Sequence, residues 1–111
     1  MAAPTLPVGD LNKISPATAG EGEAYSLLAM GRDAQVCIPL PRVGAICIGR
    51  AESVDLRLPD PAASRFHARL IVSPDGFYIE DMNSANGTYV RDQRIPEGCS
   101  TPLAPGEAIG I

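Results

Sequence analysis

An all-β fold is predicted by three features of this 111-residue sequence. Short apolar runs alternate with turn-forming residues, and no run keeps the three-to-four-residue period of an amphipathic helix. Pro74-Asp75-Gly76 stands between two alternating stretches, which is a strong hairpin signal. Gly and Pro number 11 each, a share below the roughly 25–30% of disordered low-complexity chains, so they read as turns of a compact fold.

The elements follow in order. Residues 1–23 hold Pro, Gly, Ala and Thr without apolar periodicity and read as a flexible leader or linker, so the folded domain is expected over 24–111. Tyr25–Met30 forms a first strand, closed by Gly31-Arg32-Asp33. Val36–Leu40 runs up to Pro41, and Ala45–Ile48 runs into Gly49. Leu56 and Leu58 alternate with Asp55 and Arg57, as in a half-buried strand. A short helix over Asp60–Ala68 is undercut by Pro59 and Pro61. Arg69–Val72 and Phe77–Asp81 flank the hairpin turn, Asn86-Gly87 marks another tight turn before Thr88–Val90, and Thr101–Ile111 turns at Pro105-Gly106. Strands this short and regular suggest a sandwich or barrel.

Composition excludes several functions. The net charge of −4 argues against a general nucleic-acid binder, which needs a basic face for backbone phosphates. No N-terminal basic patch precedes an apolar stretch, and no run approaches the length of a membrane span. Cys37, Cys47 and Cys99 are odd in number and lack C-x-x-C spacing, so neither a disulfide framework nor a zinc site is expected. Cys37 and Cys47 sit in apolar runs and read as small buried hydrophobes, and a reducing cytoplasm fits best.

Five places could carry chemistry. Arg50 follows Gly49 at a strand end, where glycine permits close approach and the guanidinium fork can grip a phosphate; it also reads as an ordinary surface arginine. Ser64 offers a hydroxyl on a loop. His67 is the sole histidine, with neither metal co-ligands nor a triad acid, and reads as a structural hydrogen-bonder. Arg65 could flank an anion, pair with an acid or sit in solvent. Asn86-Gly87-Thr88 is a glycosylation sequon without a secretion signal, and also a hairpin turn that would present the Asn86 amide.

Gly49-Arg50, Ser64-Arg65-Phe66-His67, Asp81-Met82-Asn83-Ser84 and Asn86-Gly87-Thr88, in this order, with Leu103 to Ile109 resembling a late L-x-x-G-(D/E)-x-I strand, resemble the forkhead-associated (FHA) domain. The resemblance covers nearly all of 24–111. It implies an FHA-like (SMAD/FHA) β-sandwich with binding loops at one end, and a non-catalytic module that reads phosphothreonine peptides in Ser/Thr kinase signalling. By resemblance, Arg50 and Ser64 hold the phosphate with Arg65 beside it, and Asn86 clamps the peptide main chain. His67, with Gly49, Gly87 and Thr88, shapes the loops. No cofactor, metal, nucleic acid or membrane is implied. The parent is expected to be a larger bacterial regulatory protein such as a transcription activator; a phospho-independent scaffold is the alternative.

The sequence departs from the family in three places. Ala85 stands where Ser or Thr often assists the phosphothreonine, and Ala62 and Ala63 stand where some members carry a charged residue that selects a flanking side chain. The sequence stops at Ile111, where the family has one more strand, so an open sheet edge is expected beside Thr101–Ile111. Such an edge would be covered by the leader folding back, or by a neighbouring molecule in an edge-strand dimer.

Overall fold

The computed structural model describes residue 5 and residues 11–18, 25–31 and 35–111. Its elements are strands: β1 (Leu11–Thr18), β2 (Tyr25–Gly31), β3 (Gln35–Pro39), β4 (Gly44–Gly49), β5 (Leu56–Arg57), β6 (Ala68–Ser73), β7 (Gly76–Asp81), β8 (Tyr89–Val90), β9 (Gln93–Arg94), β10 (Thr101–Leu103) and β11 (Ile109–Gly110). They form two sheets, one ordered β3-β2-β1-β11-β8-β9 and the other β10-β7-β6-β4-β5. The pairings are antiparallel except for the short β4–β5 contact. The predicted all-β sandwich is what the chain forms, and the segment 60–67 is turn and loop rather than helix, with Ala68 opening β6.

Period-two patterning decides which side chains enter the core. In β6, Ala68, Leu70 and Val72 are buried while Arg69, Ile71 and Ser73 are half-exposed; in β7, Phe77, Ile79 and Asp81 point inward. Ile46, Ile48, Leu56 and Leu103 complete this layer, facing Ile14, Leu27, Ala29, Val90 and Ile109 from the other sheet. A fully buried Leu70 or Ile79 stabilises by about 1.5–3 kcal/mol. The same alternation corrects the cysteines. Cys37 is exposed and Cys47 only partly covered, because their neighbours Val36, Ile38, Ile46 and Ile48 take the inward positions.

The leader expected over 1–23 is corrected by β1, which lies inside the six-stranded sheet, pairing with β2 from Leu11↔Gly31 to Thr18↔Tyr25 and with β11 at Ile14↔Ile109. The described strands of the sandwich therefore include residues 11–18, ahead of the expected boundary at residue 24. Thr5, farther upstream, forms an isolated parallel bridge with Arg57. Of the expected open edge beside Thr101–Ile111, the flank of β11 is occupied by β1, whereas β10 (Thr101–Leu103) stands at the edge of the five-stranded sheet, paired only with β7 among the described residues. Pro16 explains why β1 was illegible: it has no N–H to donate and is rare inside sheets. Its carbonyl is used instead, accepting the Gly106 N–H at 2.6 Å.

Asn86-Gly87 is not a two-residue hairpin. The hairpin lies just beyond it, joining β8 to β9 with Val90 opposite Gln93, and its turn residues Arg91 and Asp92 have φ of 52° and 61°. That is the left-handed geometry of a type I′ turn, formed here without glycine.

Candidate functional site

The C-terminal ends of β4 and β7 and the N-terminal end of β6 meet at one end of the sandwich. Three loops emerge there, 50–55, 58–67 and 82–88. Backbone hydrogen bonds seat the second loop on the end of β4. Arg50 N–H donates to Ser64 O at 2.9 Å, Ala51 N–H to Arg65 O at 3.0 Å, and His67 N–H to Ile48 O at 2.9 Å. Gly49 allows this contact. A Cβ at its position would lie 2.2 Å from the Arg65 carbonyl oxygen.

His67 is wholly buried and joins two loops. Its Nδ1 accepts the Ser64 N–H at 3.0 Å, which places the ring proton on Nε2, and Nε2 then donates to Gly87 O at 2.7 Å. Asp81 holds the third loop from within. Alternation along β7 places its carboxylate on the core face, where it accepts from the Ser84 N–H (3.1 Å), the Ser84 hydroxyl and the Thr88 hydroxyl (2.7 Å). Gly87 N–H closes the turn on Ser84 Oγ at 3.0 Å. Burial pushes the Asp81 carboxyl up, but the Ser84 and Thr88 hydroxyls and the Ser84 N–H outweigh it and hold the group below the usual aspartate range.

A carboxylate whose native pKa is depressed stabilises the fold fully above its unfolded value, and that contribution is lost as pH falls through the native value. Urea unfolding at pH 7 and below about pH 4 is therefore expected to show an acid loss of stability in the wild type. Asp81→Asn should be less stable than wild type at pH 7 and lose less on acidification. Equal acid losses in the two proteins would contradict the role given to Asp81.

The candidate binding groups sit on this frame. Arg50 is exposed; its Nε donates to Ala63 O at 3.1 Å, while its terminal N–H groups have no partner among the described residues. Arg57, from β5, donates to Arg50 O at 3.1 Å and fixes that turn. Ser64 Oγ accepts the Ala85 N–H at 2.9 Å, so its own proton remains available to an incoming acceptor. Position 85 thus contributes its backbone rather than a side chain. Asn86 is exposed and donates from Nδ2 to Ala62 O at 2.7 Å, tying the second and third loops together, while the Tyr89 hydroxyl donates to Asn86 O at 3.3 Å. Arg65 is exposed and has no side-chain partner among the described residues.

The structure brings Arg50, Ser64, Asn86, Gly49, His67, Gly87 and Thr88 to one end of the molecule. Sequence reasoning missed Asp81 as the buried anchor, although its place after Phe77 and Ile79 was a signal. It also missed Arg57 and Arg94, whose positions depend on strand pairing. A cleft lined by Tyr25, Leu40, Phe77, Arg91, Leu103 and Glu107 lies at the opposite end and shares no residue with these loops. Among the described residues, no helix is long and apolar enough to cross a membrane.

Comparison with known proteins agrees with this geometry. The family model described as FHA domain matches residues 46–111. The chain is 40% identical over 72 residues to the ABC transporter ATP-binding/permease protein Rv1747 of Mycobacterium tuberculosis, a match covering 65% of this chain and 8% of that protein. It is 37% identical over 65 residues to the FHA domain-containing protein FhaB of the same species, covering 59% of this chain and 42% of FhaB. It therefore spans less than half the length of either relative. A solved structure from work on phosphothreonine-dependent FHA domain interactions superposes with a TM-score of 0.61 at 25% identity, covering 89% of this chain and 86% of that one. With two sheets in this order, the loop scaffold at one end and a family match over more than half its length, the chain belongs to the FHA domain family.

Proposed function

We propose that this domain binds phosphothreonine-containing peptides at the 50–55, 58–67 and 82–88 loops, as a non-catalytic reader of Ser/Thr kinase products. One observation carries the reading. Arg50, with terminal N–H groups unspent, is hydrogen-bonded through its backbone to Ser64, whose hydroxyl proton is also unspent. A cation and a hydroxyl donor are thus carried by two residues tied through their backbones, and the cation has no acidic partner among the described residues, as binding of a phosphate dianion would require. The likeness to a structure concerned with phosphothreonine-dependent interactions supports the same ligand. FHA domains are binding modules, and in this reading Asn86 clamps the peptide main chain once its amide exchanges the Ala62 carbonyl for the ligand, which its exposed position supports. The same reading puts the module in the cytoplasm, within a larger bacterial regulatory protein such as a transcription activator.

Titration calorimetry of a phosphothreonine peptide library against its unphosphorylated counterpart tests the reading. Micromolar binding, about −8 kcal/mol, is expected of the phosphorylated pool only. Arg50→Ala should cost about 1.5–3 kcal/mol of binding, the worth of a charge-assisted hydrogen bond, with a smaller loss of stability from the bond between Arg50 Nε and the Ala63 carbonyl. Equal binding of both pools would establish a phospho-independent scaffold instead.

A further inference from the structure

The chain carries a net charge of −4, yet four arginines without a salt bridge among the described residues, Arg50, Arg57, Arg65 and Arg94, lie at the loop end, while Arg42, also without one, lies at the cleft end. Among the described residues Arg69 pairs with Glu80 and Arg91 with Glu107. Arg50 and Arg57 spend only Nε, each on a carbonyl, and Arg65 and Arg94 make no salt bridge. One phosphate does not need four guanidinium groups.

Of those not already given to the phosphate, Arg94 is the one whose side chain lies against Gly87, next to Asn86. It lies on β9, directly across from Tyr89 on β8, so the two side chains share a face. The Tyr89 hydroxyl reaches the Asn86 carbonyl from that face. Gly87, at φ +89°, lacks a side chain where Arg94 passes: a Cβ there would lie 2.5 Å from Arg94 Nε and 3.0 Å from Cζ. The guanidinium therefore rests across the backbone of Gly87, one residue from the amide that would clamp the peptide. It is exposed there. Ala62 and Ala63 bring no charge to the adjoining loop, and their carbonyls are occupied by Asn86 and Arg50.

We infer that Arg94 is a specificity-determining residue that selects an acidic side chain, Asp or Glu, on the peptide flanking the phosphothreonine. This rests on the phosphothreonine reading above and names the ligand class more closely. The guanidinium lies beside Gly87 without an acidic partner among the described residues, so its donors are open to a ligand carboxylate.

The test uses the whole chain and a set of phosphothreonine peptides with alanine flanks, in which one Asp, or one Lys, is moved stepwise through the flanking positions. Fluorescence anisotropy should find a position where Asp tightens wild-type binding relative to Ala, by up to about fivefold for an exposed pair. At that position the Asp/Ala affinity ratio should fall to about one in Arg94→Ala, and Arg94→Glu should prefer Lys. Arg94→Gln, which keeps the length lying over Gly87, should behave as Arg94→Ala does, separating charge from packing. An Asp preference that survives in Arg94→Gln, or its absence at every position while the alanine-flanked peptide binds, overturns the inference alone. Failure of every phosphothreonine peptide to bind the wild type overturns the phosphothreonine reading, and this inference with it.

Discussion

Replacing His67 with alanine is expected to lower the unfolding free energy by about 3 kcal/mol, because a partly buried donor and a buried acceptor lose their bonds together. The Ser64 N–H would lose its acceptor and the Gly87 carbonyl its donor, where the wholly buried imidazole had stood. For a domain of this size that shift moves the thermal midpoint down by more than about 10 °C. Peptide affinity should fall as well, since the two loops joined through the ring would separate. Calorimetric melting and peptide titration on the same preparation check both parts. A variant that melts like wild type but no longer binds would mean that the imidazole meets the ligand instead of bracing the loops.

Gly49→Ala should be nearly as damaging for the opposite reason. Here nothing is removed; a methyl group is forced to within 2.2 Å of the Arg65 carbonyl oxygen. The obstacle is backbone, so relief requires the 64–67 segment to move off the end of β4. That segment carries the hydrogen bonds from Arg50, Ala51 and His67 to their carbonyl partners. Overpacking of this kind costs about 1–3 kcal/mol, and the displaced Ser64 hydroxyl would no longer stand beside Arg50. Urea unfolding should show the stability loss, and phosphopeptide titration a further loss of affinity in protein that remains folded. Wild-type values in both would mean that the segment gives way freely.

Where a feature was legible in the sequence, local chemistry had determined it. Pro74-Asp75-Gly76 announces the β6–β7 hairpin because its turn conformation is built into those residue types. Alternation in 68–81 likewise reports the core face directly. β1 was hidden because its place comes from pairing on both flanks, while its own residues, with Ser15 and Pro16 buried at its centre, do not suggest a strand. The β8–β9 hairpin was hidden because Arg91 and Asp92 adopt left-handed conformations that glycine usually supplies. In the site, the order of Arg50, Ser64, His67 and Asn86 was readable as a pattern. The proximity of Arg94 to Gly87 was not, since it exists only once β9 has folded back along β8.

The position of β1 also bears on how the molecule assembles. The five-stranded sheet contains the β6–β7 hairpin and the β4–β6 pairing, contacts between segments near one another in sequence. The six-stranded sheet is different: β3-β2 and β11-β8-β9 meet only through β1, so Ile14 must find Ile109 across nearly the whole chain. Closing so large a loop incurs its entropic cost before any contact offsets it. The order of events expected from this is a nucleus in the five-stranded sheet, with the six-stranded sheet closed late by β1. A fusion partner placed ahead of Leu11 would be tethered to that final closing step.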